Sequence, residues 1–316
     1  MKIRRDSVFF VLFAAAMCAA WGDSPAAHIR IEELSTIGGP ETEALFLWTA
    51  VSVDPDDNVF FSDALDCSIK KFGPDGVLLK KAGRKGQGPG EFEKPAGVAV
   101  IGDQVYAWDL YGRALQVFDR NLVYRETLLM PGTVDGLAGL PGGHLAACIR
   151  PSYAQAKVVI FSSDGTPVRE FALTDPKDPT LFGTVSFAVE SSGESYFGYL
   201  FRDLVEKRSA AGERIWARTA MGTGPTAVDD IRGFKVPSET CILSLARDGQ
   251  GRVYVLGGTK AVHKGRDVFV FSSEGSFLAL LILPEPSYIL YFDHRDRLYV
   301  SADGGVTMKK YRVTFE

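Results

Sequence analysis

The feature that most constrains the fold of this chain is a unit of short strands and tight turns that recurs six times. Each unit has an apolar strand, a polar turn, a second strand rich in Tyr, Val and Phe, a loop, and two further strands. The first polar turns lie near Asp57, Asp103, Gly143, Gly193, Gln250 and Arg295, at separations of 46, 40, 50, 57 and 45 residues. A four-stranded repeat of roughly 40–50 residues is typical of a propeller blade rather than of a helical repeat.

The composition of the units predicts strands throughout. Second strands such as VFFSD (residues 59–63), VYAWD (105–109) and RVYVLG (252–257) are β-branched and aromatic, and Gly, Asp and Pro punctuate them. No segment shows a sustained apolar period of 3.6 residues. We therefore predict an all-β fold, a six-bladed β-propeller built from four-stranded antiparallel blades.

The two ends of the chain are predicted to complete one blade together. The sixth unit lacks a fourth strand, because the chain stops at MKKYRVTFE (residues 308–316), whereas residues 29–46 resemble the tail of a unit. We expect the N-terminal strand to pair with the C-terminal blade and close the ring, which would leave only short, protected sheet edges.

A glycine-rich stretch, residues 83–95, is predicted to connect two blades. It lacks the GxxxxGK[ST] pattern, and a strand rather than a helix follows it, so a phosphate-binding loop is disfavoured. The sequence GQGPGEFEKPAGVAV (86–100), followed by DQVYAWDLYGRALQVFD (103–119), resembles an NHL repeat of six-bladed β-propellers. That superfamily has many functions, so the resemblance implies the fold rather than an activity.

The N-terminus is predicted to be an export signal, spanning residues 1–22. Lys2, Arg4 and Arg5 precede an apolar run at residues 8–16, and small residues follow. Residues 23–316 are then one propeller domain of an exported protein, periplasmic or secreted. Lipidation at Cys18 is the alternative, although Met17 is a poor residue before a lipoprotein cysteine.

Charge and cysteine content restrict the partners. Without residues 1–22 the chain keeps 32 basic and 38 acidic residues, which disfavours nucleic-acid binding. Cys67, Cys148 and Cys241 do not make a disulfide scaffold, and nothing selects a pair among them. No stretch after the signal is long and apolar enough to span a membrane. We expect a monomer.

A ligand is expected on the propeller face that carries the long loops, at residues 83–95, 150–156, 222–237 and 258–266. Antiparallel blades place these loops on one face and the short hairpins on the other. The candidate ligand-binding residues are Arg84, Lys85, Arg113, Arg150, Tyr153, Arg202, Lys260, His263, Lys264 and Arg266. A basic ring of this kind could attract an anionic protein, peptide or glycan, and solvated loop charges are the alternative.

No catalytic residue, metal or cofactor is predicted. Similar propellers include calcium-dependent lactonases, whose channel ligands include Asn, but the asparagines Asn58 and Asn121 fall at hairpin turns. A zinc lyase of this build would need converging histidines, and only His263 belongs to the long loops. The repeated carboxylates Asp63, Asp109 and Asp303 are interpreted as loop caps. The sequence thus favours a binding or scaffold module, and a calcium-dependent hydrolase, lactonase or lyase with its site in the channel is the alternative.

Overall fold

The computed structural model describes residues 27–39, 50–110, 112–152, 155–173, 185–224, 226–231 and 234–316. The predicted signal, Tyr111 and Tyr153 lie outside these ranges. Within them the chain forms strands and two short 3-10 turns, Pro141–Gly143 and Asp303–Gly305. No helix in the described ranges has the length and apolar character needed to cross a membrane.

Twenty-six strands are described. In chain order they are β1 (Ile29–Gly38), β2 (Val51–Val53), β3 (Val59–Asp63), β4 (Ser68–Phe72), β5 (Leu78–Ala82), β6 (Pro95–Ile101), β7 (Gln104–Asp109), β8 (Ala114–Asp119), β9 (Tyr124–Leu129), β10 (Thr133–Leu140), β11 (His144–Ser152), β12 (Gln155–Phe161), β13 (Pro167–Ala172), β14 (Val185–Val189), β15 (Ser195–Tyr199), β16 (Val205–Arg208), β17 (Arg214–Arg218), β18 (Val228–Ile231), β19 (Phe234–Pro237), β20 (Ile242–Arg247), β21 (Val253–Gly257), β22 (Asp267–Phe271), β23 (Phe277–Ile282), β24 (Leu290–Phe292), β25 (Arg297–Ala302) and β26 (Thr307–Phe315).

Six four-stranded antiparallel sheets form the blades of a propeller, as predicted. Blades 1 to 5 are β2–β5, β6–β9, β10–β13, β14–β17 and β20–β23, and each is built from consecutive strands. Strands β18 and β19 form a separate hairpin in the connection between blades 4 and 5. Residues 222–237, which were predicted to be a loop, therefore include regular structure.

Blade 6 is assembled from both ends of the described chain, in the order β1-β26-β25-β24. The register pairs Ile29 with Phe315 and Ile37 with Met308, with a bulge between Glu33 and Ser35. The predicted closure of the ring is confirmed. Because β1 is the outermost strand, the ring can open there only if the backbone bonds between β1 and β26 break.

The core consists of apolar clusters between neighbouring blades. Each junction buries side chains of two sheets: one cluster packs Trp108 of blade 2 against Ile149 of blade 3, and another packs Phe61 of blade 1 against Tyr299 of blade 6. The remaining clusters occupy the other four junctions in the same way. The alternating side chains of the middle strands thus fill both sides of each sheet.

The strand directions give the ring two distinct faces. The turns between first and second strands and between third and fourth strands form the hairpin face, and all the other connections form the long-loop face. On the hairpin face Asp54, Asp248 and Asp293 each accept hydrogen bonds from the backbone N–H groups two and four residues later, at 2.8–3.0 Å. This shared cap explains why the first turns of these blades are tight.

The glycine-rich connector between blades 1 and 2 crosses the long-loop face. Phe92 is fully buried in the junction of these blades and anchors it. Gly83 has a φ of +95°, and a Cβ there would lie 2.8 Å from the Phe92 ring, so only glycine fits. The structure therefore confirms the connector interpretation of this stretch.

Candidate functional site

The structure places the described candidate residues on or near the long-loop face but gives them different roles. Five of them bond other groups of the protein through their side chains: Arg84, Arg150, Lys260, His263 and Arg266. Arg202 lies half-buried between β15 and β16 and also has an interaction partner. Much of the predicted basic ring is thus engaged with the protein itself.

Arg150 forms a buried, bidentate ion pair with Asp135. The distances are 2.6 Å from Nε to Oδ2 and 2.8 Å from Nη2 to Oδ1, and the two side chains are 8% and 7% exposed. Burial raises the pKa of Asp135, although Arg150 acts in the opposite direction. This arginine holds the ends of β10 and β11 together and is not available to a ligand without breaking a buried pair.

The loop between β21 and β22 is held by three of the predicted residues. Lys260 donates to the Gly224 carbonyl at 2.6 Å, and Arg266 donates from Nε to the Leu283 carbonyl at 2.7 Å. Nδ1 of His263 lies 2.7 Å from Oδ1 of the buried Asp267. These bonds tie the loop to the connections on either side, so its conformation is fixed in advance of any binding.

Three predicted cations remain open on this face. Lys85, Arg113 and Lys264 are exposed, and within the described ranges none of them has a carboxylate within ion-pair distance. Exposed apolar side chains accompany them, namely Leu65, Val262 and Tyr288. Val262 and Lys264 share a loop that bonds the connector carrying Tyr288, through the Ser287 N–H to Gly265 carbonyl bond of 2.8 Å.

A polar cleft of about 160 Å³ opens beside Arg113. It lies between the blade 1–2 connector and the start of β8. Its lining residues are Gln87, Glu91, Phe92, Glu93, Asp109, Gly112, Arg113, Ala114 and Gln116. The cleft combines one guanidinium with three carboxylates and two amides, a set that offers both hydrogen-bond donors and acceptors.

The acidic groups of the cleft are oriented by bonds to the connector. Glu91 accepts from Arg84 and from the Gly88 N–H, at 2.7 and 2.9 Å. Asp109 accepts from the N–H groups of Glu93 and Lys94, at 3.0 and 2.8 Å. Burial raises the pKa of Asp109, and these two backbone bonds only partly oppose that shift.

The repeated carboxylates at the ends of second strands are structural in different ways. Asp63 caps its own loop by accepting from the Leu65 and Asp66 N–H groups, as predicted. Asp109 instead caps the preceding connector, and Asp303 accepts from the Thr307 hydroxyl. The predicted cap of the residue's own loop therefore holds for Asp63, whereas Asp109 caps another segment and Asp303 bonds a side chain.

No group of three or more His, Cys, Asp or Glu side chains that could hold a metal ion occurs in the described part of the chain. Cys67, Cys148 and Cys241 are free and buried. Burial raises the pKa of each of these thiols, which disfavours the thiolate that a nucleophile requires.

The comparisons with known proteins support the class that this geometry defines, the six-bladed β-propeller. No family model matches the chain, and no curated protein matches its sequence. A gluconolactonase from Xanthomonas campestris aligns with 92% of this chain and 99% of its own, at a TM-score of 0.56 and 14% identity.

Two further solved structures extend this likeness. Virginiamycin B lyase from Staphylococcus aureus aligns with 91% of this chain and 88% of its own, at a TM-score of 0.54 and 11% identity. A protein described as a putative exported protein, from Bacteroides fragilis, aligns with 91% of this chain and 95% of its own, at a TM-score of 0.59 and 8% identity. At such identities the likeness shows the fold alone. It supports the predicted six-bladed propeller fold, whereas the NHL repeat stays a prediction.

Sequence reasoning did not single out Gln87, Glu91, Glu93 and Gln116 as candidates. Gln116 lies in the middle of β8, where the strand pattern predicts only a core or sheet position. Its amide meets the connector through the Gly90 N–H, 26 residues away. No local signal in the sequence reveals that contact. The glutamates could have been noticed from their place in the connector, beside the predicted Arg84.

Proposed function

We propose that this chain is an exported binding module whose long-loop face holds a protein, peptide or glycan that carries acidic groups. In this proposal residues 1–22 are a signal peptide, residues 23–316 form one propeller domain, and the mature protein is periplasmic or secreted. The observation that carries it is the combination, on one face, of open cations and exposed apolar side chains on loops with fixed backbones.

The hydrogen bonds that fix the loops support a role of their charged side chains in binding a partner, rather than in contact with solvent alone. The Asp203 carboxylate accepts from the N–H groups of Ala220, Met221 and Thr223, at 2.7–3.1 Å. This cap fixes the segment that Lys260 also bonds through the Gly224 carbonyl. A surface that is already ordered loses little conformational entropy when it binds, so more of the contact energy appears as affinity.

The chemistry of the exposed groups indicates the kind of partner. Lys264 shares its loop with the exposed Val262, and this loop bonds the connector that carries the exposed Tyr288. Apolar anchors with a neighbouring charge are typical of protein-binding surfaces. Since the chain is acidic as a whole, such local positive charge would steer an anionic partner to this face.

Capture of partners from an extracytoplasmic extract tests this proposal. The immobilised mature protein is expected to retain a specific partner, and Lys264→Glu is expected to weaken that capture about tenfold, because a like charge replaces an attractive one at the contact. Lys85→Glu tests the opposite side of the ring in the same way. Quantitative mass spectrometry of the captured proteins and glycans provides the measurement.

Lys80→Glu is the matched control, since Lys80 is exposed on the outer strand β5, away from the face. It makes the same charge change and should leave capture and stability unchanged. Equal losses in all three variants would show that only net charge matters, and capture unaffected by Lys264→Glu and Lys85→Glu would contradict the proposed face.

A further inference from the structure

The cleft beside Arg113 has a donor that no protein group uses, on a side chain that is almost completely buried. Gln116 is only 6% exposed. Its Oε1 accepts hydrogen bonds from the Gly90 N–H at 3.0 Å and from the Thr127 hydroxyl at 2.8 Å. Because a backbone N–H can only donate, the oxygen must be the atom on that side, and the amide orientation is fixed.

The NH₂ group of Gln116 must therefore point the other way. This NH₂ group has no hydrogen-bond partner within the described ranges. Its nitrogen is not sealed from solvent. Since Gln116 lines the cleft, this donor opens onto it. An amide donor that faces a cleft, and that no protein group uses, is available to an acceptor of a ligand.

The charges around this donor form two sets. Arg113 lines the same cleft and, within the described part of the chain, makes neither a hydrogen bond nor an ion pair with its side chain. Glu93 and Asp109 lie close enough that the Glu93 N–H bonds the Asp109 carboxylate. Burial raises the pKa of Asp109, the neighbouring Glu93 charge acts in the same direction, and the Glu93 and Lys94 N–H groups oppose the shift.

We propose that this cleft binds a small zwitterion, an α-amino acid. Its carboxylate accepts hydrogen bonds from the Gln116 amide and from Arg113, and its ammonium group donates to the carboxylates of Glu93 and Asp109. Each charge of the ligand then meets its opposite, as buried charges require. A cleft of about 160 Å³ is far smaller than the roughly 300–1,000 Å³ of pockets for drug-sized ligands, so the side chain must be small.

This site deepens the proposed function, because it rests on the long-loop face as the binding surface, but the two can fail separately. Capture of a macromolecule depends on the exposed Lys264 and Lys85, which do not line the cleft. Amino-acid binding depends on Gln116 and Arg113. If the protein binds alanine but captures no partner, the amino-acid site is supported and the binding-module proposal is contradicted.

Calorimetric titration with defined probes tests the proposal. Glycine, L-alanine and L-serine are expected to bind and to raise the thermal midpoint of the protein. Propionate, which has only the carboxylate, and L-alanine methyl ester, which has only the ammonium group, are each expected to bind at least about tenfold more weakly, because each leaves one set of charges unmatched.

Gln116→Glu is the sharpest variant, because it keeps the oxygen that accepts from Gly90 and Thr127 and replaces the free NH₂ with an acceptor. It should abolish alanine binding, and because a carboxylate at this buried position also costs stability, thermal unfolding without ligand must show that the variant is folded. Arg113→Gln should weaken alanine binding about tenfold. Gln104→Glu, the same change on the hairpin face of this blade, should bind like the parent.

Three results would overturn the proposal: no binding of the three amino acids at millimolar concentration, equal binding of propionate or the methyl ester, or unchanged binding by Gln116→Glu. Preferential binding of a monosaccharide such as glucose would also overturn it.

Discussion

The two faces of the ring use charge differently. On the hairpin face, some ion pairs lie within a blade, such as Arg252–Asp248, but three others join neighbouring blades. These three are Asp57–Arg297, Arg120–Asp56 and Arg247–Glu190. On the long-loop face, ion pairs join groups within one blade: Lys70–Asp63, Arg150–Asp135 and His263–Asp267. The three hairpin-face pairs thus cross the blade junctions, where each pair resists separation of two sheets.

The two sets of ion pairs therefore have different roles. The cross-blade pairs of the hairpin face hold the ring together, and the pairs of the long-loop face fix the loops. A long-loop face braced blade by blade can keep cations such as Lys264 open without weakening the junctions. The hairpin face, with its short capped turns, has less of this freedom, because several of its charges have partners in the adjacent blade. We therefore expect function on the long-loop face and most of the electrostatic contribution to ring stability on the hairpin face.

The largest expected effect is the loss of the Asp63 charge inside blade 1. Asp63 is fully buried, and its Oδ2 lies 2.7 Å from Nζ of the equally buried Lys70. Asp63→Asn preserves the cap on the Leu65 N–H but removes the carboxylate nearest to Lys70, whose ion pair with Asp66 is longer, at 3.2 Å. We expect a loss of about 3 kcal/mol in the free energy of unfolding, because a buried charge loses its partner. Urea denaturation measures this loss.

Asp66→Asn serves as the control, since Asp66 is part-exposed and its removal should cost about 1 kcal/mol. Hydrogen exchange should show that the Asp63 variant loosens blade 1 and leaves the junction of blades 6 and 1 protected. Loss of protection around the whole ring would break the contrast between the faces, because it would mean that a pair within one blade holds the junctions too.

A smaller effect, but a wider one, is expected from Asp57 at the junction of blades 6 and 1. Asp57 contacts Arg297 and lies 2.9 Å from Arg295 and 3.6 Å from His294. Its φ is +65°, a conformation that Asn also tolerates, so Asp57→Asn removes the charge with little backbone strain. We expect a loss of about 2 kcal/mol at neutral pH, with faster hydrogen exchange in both β1 and β26.

The pH dependence of this loss has a definite sign. Burial alone would raise the pKa of Asp57, but the hydrogen bond from Arg297 and the charges of Arg297, Arg295 and His294 outweigh it and hold the pKa below 3.8. The stabilisation is thus present above 3.8 and is lost as pH falls through the lower pKa of the folded state. The difference between parent and variant should shrink in acid, and a difference that widens there would contradict the assignment. Asp56→Asn, at an exposed aspartate, should change little.

The fold could be predicted from the sequence because its determinants are local and repeated. The period of the units, the β-rich second strands and the missing fourth strand of the last unit together specify six blades and the closure of the ring. The hairpin of β18 and β19 was missed, because two four-residue strands within a long connection carry too short a pattern to distinguish from a loop.

The candidate site could be predicted only in part. The sequence indicates which residue types lie on the long loops, but it does not indicate which of them are already paired. The partner of Arg150 is Asp135 on the neighbouring strand, and that of Arg266 is a carbonyl 17 residues away. These pairings depend on the register and on how the loops pack, and no spacing rule contains them. The same reason hid Gln116, whose free donor follows from the position of Gly90.

The smallest expected effect concerns two neighbouring lysines of β26, which test the contrast within one strand. Lys309 bonds Glu285 of the long-loop face at 2.8 Å, and this bond raises its pKa to about 12. Lys310 points to the other side of the sheet, over the Tyr299 ring, and burial together with Arg297 lowers its pKa below 10.5. As pH rises, Lys310 should therefore lose its proton before Lys309, which NMR of isotopically labelled lysine side chains would measure, with Lys→Arg variants for assignment. The stability effects of removing the two charges should also differ in size. Lys309→Met removes a stabilising charge that acts below pH 10.5 and should cost about 0.5 kcal/mol. Lys310→Met removes a charge that burial disfavours, so it should cost nothing at neutral pH. Equal titration of the two amines, or equal losses of stability, would show that the bond to Glu285 and the burial of Lys310 do not distinguish the two lysines.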